Sequence, residues 1–185
     1  MKKIIFLLCI IMATVKLHAQ FIKSTSINAK IGLGITAPYY SSDDVVDNGF
    51  FAQGEYILKA ASWFDIRPYA GVLFTHTGNE DIDGNSTNET ATTKAFLIGG
   101  KARIMAPIPW VAPFAEIGIG TSIGSFKTQT TYTSIDKSGL LYHIPFTLGL
   151  AIGKHHEFEI GVMYYFEPSA EQFAGAAAIG MEIPL

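Results

Sequence analysis

The chain has 185 residues, with 16 acidic against 13 basic side chains and a net charge of −3. That length suits one domain, and the acidic balance excludes the basic surface that nucleic acid requires. Cys9 is the only cysteine and sits in an apolar N-terminal run, so the rest of the chain has no disulfide or thiolate metal site.

The N-terminus comes first. Met1-Lys2-Lys3 is a positive start, Ile4 to Val15 is apolar, and Leu17-His18-Ala19 ends on a small residue. This pattern predicts a secretory signal peptide over 1–19, cut between Ala19 and Gln20. The apolar run is followed by Lys16 and is too short for a membrane-spanning helix. Leu8 before Cys9 does not fit a lipoprotein signal. Loss of Lys2, Lys3 and Lys16 leaves 10 basic residues against 16 acidic ones, a net of −6.

The remaining segment, 20–185, reads as a single all-β domain. Its first strand, 24–37, contains INAKIGLGIT, with apolar residues on odd positions and polar residues or glycine on even ones. The same period of two predicts strands over 50–60, 65–76, 93–105, 111–123, 140–153, 156–166 and 172–185. Residues 38–49, 77–92, 124–139 and 167–171 read as loops. Short links at 61–64, 106–110 and 154–155 alternate with them. Four outer loops and three inner turns predict an eight-stranded antiparallel up-and-down β-barrel with both termini on one side.

Period two alone does not say which face is inside. Gly32, Gly34, Gly71, Gly99, Gly118, Gly120, Gly124, Gly149, Gly153, Gly161 and Gly180 share the polar face. Only Gly54, Gly100 and Gly175 share the apolar one. A face open to water has no steric need for such small residues, whereas the narrow lumen of an eight-stranded barrel does. The polar face is therefore expected to point inward and the apolar face to meet lipid, making this a transmembrane barrel. Trp63 and Trp110 fall at short turns, while Phe50, Phe96, Tyr142, Phe166 and Phe173 fall near the long-loop ends. Such placement suits aromatic belts at two lipid–water boundaries.

Ile66-Arg67-Pro68-Tyr69-Ala70-Gly71 and Val111-Ala112-Pro113-Phe114-Ala115-Glu116-Ile117-Gly118 repeat a polar–aromatic–glycine pattern. In these phrases and its strand plan, nearly the whole of 20–185 resembles the small eight-stranded outer-membrane barrels of Gram-negative bacteria, the OmpA/OmpX type. The resemblance implies location in the cell outer membrane, contact with its lipid and lipopolysaccharide, and a monomer. One departure is the last strand, which ends Ile183-Pro184-Leu185 where the family usually ends on an aromatic residue.

Three constellations carry possible chemistry. Lys30, Lys59, Arg67, Lys101 and Arg103 share the inward parity with Glu55, Glu116, Glu157, Glu159 and Glu182. The balance of sign predicts an ion-paired plug filling the middle of the lumen rather than a catalytic carboxylate pair. In the 77–92 loop, Asn79, Asp81, Asp83 and Gly84 fit the first half of a calcium loop, but Thr90 stands where the bidentate Glu belongs. Some barrels of the family's size modify lipid A, and the deacylase kind carries a His with a Ser two residues later. Two residues after His143 stands Pro145 and two after His76 stands Gly78, so neither histidine fits. A non-enzymatic envelope platform is expected, with no cofactor. Its acidic outer rim comprises Asp43, Asp44, Asp47, Glu80, Asp81, Asp83, Glu89, Asp136, Glu167 and Glu171, with divalent cations as a further expected partner. A lipid A-modifying enzyme and a narrow pore are the alternatives.

Overall fold

A computed structural model of the chain describes residues 21–39, 47–76, 89–132 and 134–185. The expected signal peptide and the half calcium loop at Asn79, Asp81 and Asp83 lie outside the described residues. The rim positions Asp43, Asp44 and Glu80 do too.

Eight strands form: β1 (Ser24–Pro38), β2 (Asp47–Lys59), β3 (Phe64–His76), β4 (Thr90–Met105), β5 (Trp110–Gln129), β6 (Ser134–Gly153), β7 (Phe158–Glu167) and β8 (Gln172–Pro184). Each pairs antiparallel with its sequence neighbours. β1 also pairs with β8, from Ser26 opposite Pro184 to Pro38 opposite Gln172, which closes the barrel and leaves no free sheet edge. Closure satisfies the backbone donors and acceptors that lipid would otherwise leave unpaired.

The alternation holds as expected. Along β1, Asn28 and Lys30 are buried while Ile27, Ile31 and Leu33 are exposed. On the outer wall Ile119 is 71% exposed, Leu33 69% and Leu148 54%. An outward surface this apolar is insoluble unless lipid surrounds it. Glycines on the inner face let neighbouring strands and side chains approach. A Cβ on Gly71 would meet Ala52 O at 2.7 Å and one on Gly180 would meet Asn28 Oδ1 at 2.8 Å. Trp63 and Trp110 are exposed at inner turns, and Phe50, Phe96 and Tyr142 are exposed near the outer ends.

One expected loop is instead strand. β5 and β6 continue into 124–139, pairing out to Gln129 opposite Ser134. The segment is rich in Thr and Ser and looks loop-like because its outward face has passed the hydrocarbon layer and needs no apolar residues. Phe126 and Thr128 still point inward and are fully buried.

Candidate functional site

The lumen is built in two tiers. In the half nearer the chain termini, inward side chains of β1 to β5 and β7 form a continuous ion-paired layer. Lys30 Nζ lies 2.9 Å from Glu55 Oε1 and 3.2 Å from Glu159 Oε2. Lys101 Nζ donates to Glu55 at 2.5 Å and to Glu116 at 2.6 Å. Arg103 Nε donates to Glu116 at 2.7 Å, and its two Nη groups grip Glu159 at 2.5 and 2.8 Å. Arg67 Nη1 reaches Glu55 at 3.0 Å and Glu159 at 3.1 Å. Each of these side chains is at most 4% exposed. Charges removed from water this completely are tolerable only when each is met by opposite charge and hydrogen bonds.

Backbone register explains part of the arrangement. Arg103 stands directly opposite Glu116 on the adjacent strand, so that pair is made within the wall rather than across the lumen. Glu159, on β7, is the group that Arg67 and Arg103 reach across the barrel. The ring of Phe114 lies 3.6 Å from the Arg103 guanidinium carbon and supports it from one face.

Two expectations about membership change. Asp65 joins the network, accepting from Arg67 Nε at 2.6 Å and Nη2 at 3.1 Å. It shares the inward parity of Arg67 two residues on, which was the available signal. Glu157 does not join it. The chain leaves the strand at Gly153 (φ 111°) and turns, so Glu157 sits in the β6–β7 turn and its carboxylate accepts from His155 N at 2.8 Å. The backbone N–H groups of Glu157 itself and of His155 hold that carboxyl below the usual carboxylate range. Lys59 and Glu182 pair at the mouth of the lumen, where Ser26 Oγ also donates to Glu182 at 2.7 Å.

The outer half of the lumen is mainly apolar, a layer that parity and charge balance alone do not predict. Phe51, Leu73, Leu97 and Phe126 are fully buried there with Tyr69, Met163 and Tyr165. Polar links thread this apolar layer. Tyr165 OH donates to Gln53 Oε1 at 2.7 Å, and Gln53 Nε2 donates to Glu55 at 2.8 Å. The Tyr69 hydroxyl meets His143 Nε2 at 2.5 Å, and Ser122 Oγ lies 2.7 Å from His143 Nδ1 and 2.5 Å from Glu167 Oε1. Above them Gln172 joins Thr93 at 2.5 Å and Thr128 at 3.1 Å.

The Ser122–His143–Glu167 cluster joins residues far apart in sequence, so serine–histidine spacing does not reveal it. Gly120 stands opposite His143 across the β5–β6 ladder, which makes Ser122 the diagonal neighbour of that histidine. The three types are those of a hydrolytic triad, but the order differs: Ser122 lies between histidine and carboxylate, and His143 is tied to Tyr69. All three are fully buried. The void beside Lys30, Phe114, Thr147 and Glu159 is too small for a water molecule.

Among the described residues, three carboxylates expected at the acidic rim are buried. Asp47, Glu89 and Glu167 are buried at 1%, 4% and 0% exposure. Asp47 accepts from Ala91 N at 2.9 Å and Glu89 from Thr131 N at 2.8 Å, so these carboxylates satisfy backbone donors at strand ends. Asp136 is exposed and pairs with Lys127 at 3.2 Å. The larger concavities, about 690 and 560 Å³, lie on the lipid-facing wall and are lined almost wholly by apolar side chains such as Ile31, Ile160 and Ile179.

No protein-family model matches the chain, and no curated protein matches it either. Solved structures do. The chain is similar to Neisserial surface protein A, at 9% identity and a TM-score of 0.61, over 87% of this chain and 97% of that one. It is similar to Ail, the attachment invasion locus protein of Yersinia pestis, at 14% identity and a TM-score of 0.50, over 88% and 98% of the two chains. It is also similar to the outer membrane enzyme PagL, at 13% identity and a TM-score of 0.52, over 85% and 99%. At these identities the likeness is one of fold. With its closed ladder of eight antiparallel strands and its apolar outer wall, the chain has the fold of the small eight-stranded outer-membrane β-barrels.

Proposed function

We propose that this protein is a non-enzymatic outer-membrane anchor and surface platform whose barrel is closed to ions. The observation that carries this reading is the lumen. An ion-paired layer around Glu55, Glu116 and Glu159 is followed by an apolar layer around Phe51, Leu73 and Leu97. An ion crossing it would have to break buried pairs and then shed its water against hydrocarbon, and both steps are costly. Function then rests with the outer loops, as is usual where a rigid scaffold carries variable connections. Their sequence is acidic, which suits divalent cations that also bridge lipopolysaccharide phosphates. The test is single-channel recording of the refolded mature chain, with lipid A incubation in detergent as a parallel assay. No steady conductance and no change in lipid A are expected.

A second reading, a lipid A-modifying enzyme, is favoured by the hydrogen-bonded Ser122, His143 and Glu167 and by the fold shared with an outer membrane enzyme. Burial inside the lumen argues against it, because a lipid ester would have no route to Ser122 Oγ. Release of fatty acid by the wild type but not by Ser122→Ala would establish this reading over the first.

A further inference from the structure

Among the described residues, the lipid-facing side of the eight strands carries only three charges: Lys94, Lys127 and Asp136. All three lie at the outer ends of the adjacent strands β4, β5 and β6, just beyond exposed Phe96, Ile123 and Leu140. Among the described strand residues, the rest of the outer wall shows no such charge. The placement is therefore both one-sided and confined to one depth, that of the outer lipid headgroups.

The two lysines line one hollow. Lys94 stands opposite Ser125, and Lys127 opposite Thr92, so the two lysines are diagonal neighbours on one face, about 7–8 Å apart at their bases. His76, Thr92, Lys94, Ser125 and Lys127 line a hollow of about 260 Å³. Lys127 shares its charge with Asp136 at 3.2 Å, whereas Lys94 has no ion pair among the described residues. Two lysines lining a hollow with hydroxyls and an imidazole match a phosphate monoester, which accepts several charge-assisted hydrogen bonds. The position directly above an apolar wall adds a second requirement, a ligand with hydrocarbon chains below its phosphate.

We infer that Lys94 and Lys127 form a docking site on the barrel wall for a phosphate of an outer-leaflet glycolipid, with His76, Thr92 and Ser125 as its polar rim. The inference rests on the lipopolysaccharide contact proposed above and names the residues that make it. It accounts for why charge interrupts an otherwise apolar wall on one side only.

The test uses the folded mature chain in detergent micelles and measures retained lipid by native mass spectrometry. The probes are lipid A with its two phosphates, the same lipid dephosphorylated, and inorganic phosphate. The wild type should retain the phosphorylated lipid about tenfold better than the dephosphorylated one, the size expected of one or two charge-assisted hydrogen bonds. Lys94→Gln with Lys127→Gln should abolish that preference while leaving the heat-dependent gel shift of the folded barrel intact. Lys137→Gln should keep it, since Lys137 donates instead to Ser169 O at 2.6 Å. Equal retention of both lipids by the wild type, survival of the preference in the double variant, or displacement of the lipid by inorganic phosphate would overturn the assignment. Retention of neither lipid would instead sink the lipopolysaccharide contact on which it rests.

Discussion

Arg103 spans the lumen from β4 to Glu159 on β7, with its two Nη groups on the two carboxylate oxygens at 2.5 and 2.8 Å. This fork joins opposite walls of the barrel within a layer where Lys30, Glu55, Arg67, Lys101, Arg103, Glu116 and Glu159 each have more than one charged partner. Removing either member strands the other in a medium that cannot solvate it. Arg103→Met or Glu159→Leu alone should cost about 3–5 kcal/mol, and the double variant should cost clearly less than the sum. Urea titration followed by the gel shift between folded and boiled forms measures all three. Simple additivity would mean that the two groups do not depend on each other.

Gly120 controls the second tier. A Cβ there would meet Ile98 O at 2.7 Å and His143 Nε2 at 2.5 Å, and would also crowd the Tyr69 hydroxyl. Gly120→Ala should destabilise by about 1–3 kcal/mol through overpacking. Adding Tyr69→Phe should recover only part of the loss, because the backbone contact to Ile98 remains. A harmless Gly120→Ala would contradict the packed lumen described above.

Much of this fold was legible in the sequence for a simple physical reason. A barrel wall one residue thick writes its two solvents directly into alternate positions, so Ile31 and Leu33 announce lipid while Lys30 and Gly32 announce the lumen. The network around Glu55, Lys101 and Glu116 followed from parity and balance of sign. Two things were not legible. Phe51, Leu73 and Leu97 each sit beside another apolar residue, so alternation gives no sign that the outer lumen is hydrocarbon. Glu157 has the right parity but lies past Gly153, where the chain leaves the strand and parity stops meaning direction.

The polarity of the wall can be tested at adjacent positions. Leu148 faces lipid and Thr147 is buried in the lumen. Leu148→Arg should cost about 2–4 kcal/mol, the depth-dependent penalty of a cation on the lipid face. Folding into bilayers of defined thickness, monitored by urea midpoint, reads this out. If Leu148→Arg were neutral, the outer wall would not be lipid-facing at that height.

The β6–β7 turn should show a pH signature. Glu157 is held as a carboxylate by the backbone N–H groups of Glu157 and His155, so its folded titration lies below the unfolded one. Its contribution to the turn is therefore present above the ordinary carboxylate range and disappears as pH falls through the lowered value. Glu157→Gln should speed amide exchange at His155 near neutral pH, and the difference from wild type should vanish in acid. A difference that persisted unchanged at low pH would show that the charge is irrelevant to the turn.

Closure of the lumen is the central claim, and single-channel recording in planar bilayers tests it most directly. The wild-type barrel should insert and show no steady conductance, while Arg103→Met with Leu97→Ala, which opens both tiers, should flicker or leak. Large and stable wild-type conductance would contradict the account and make the protein a pore.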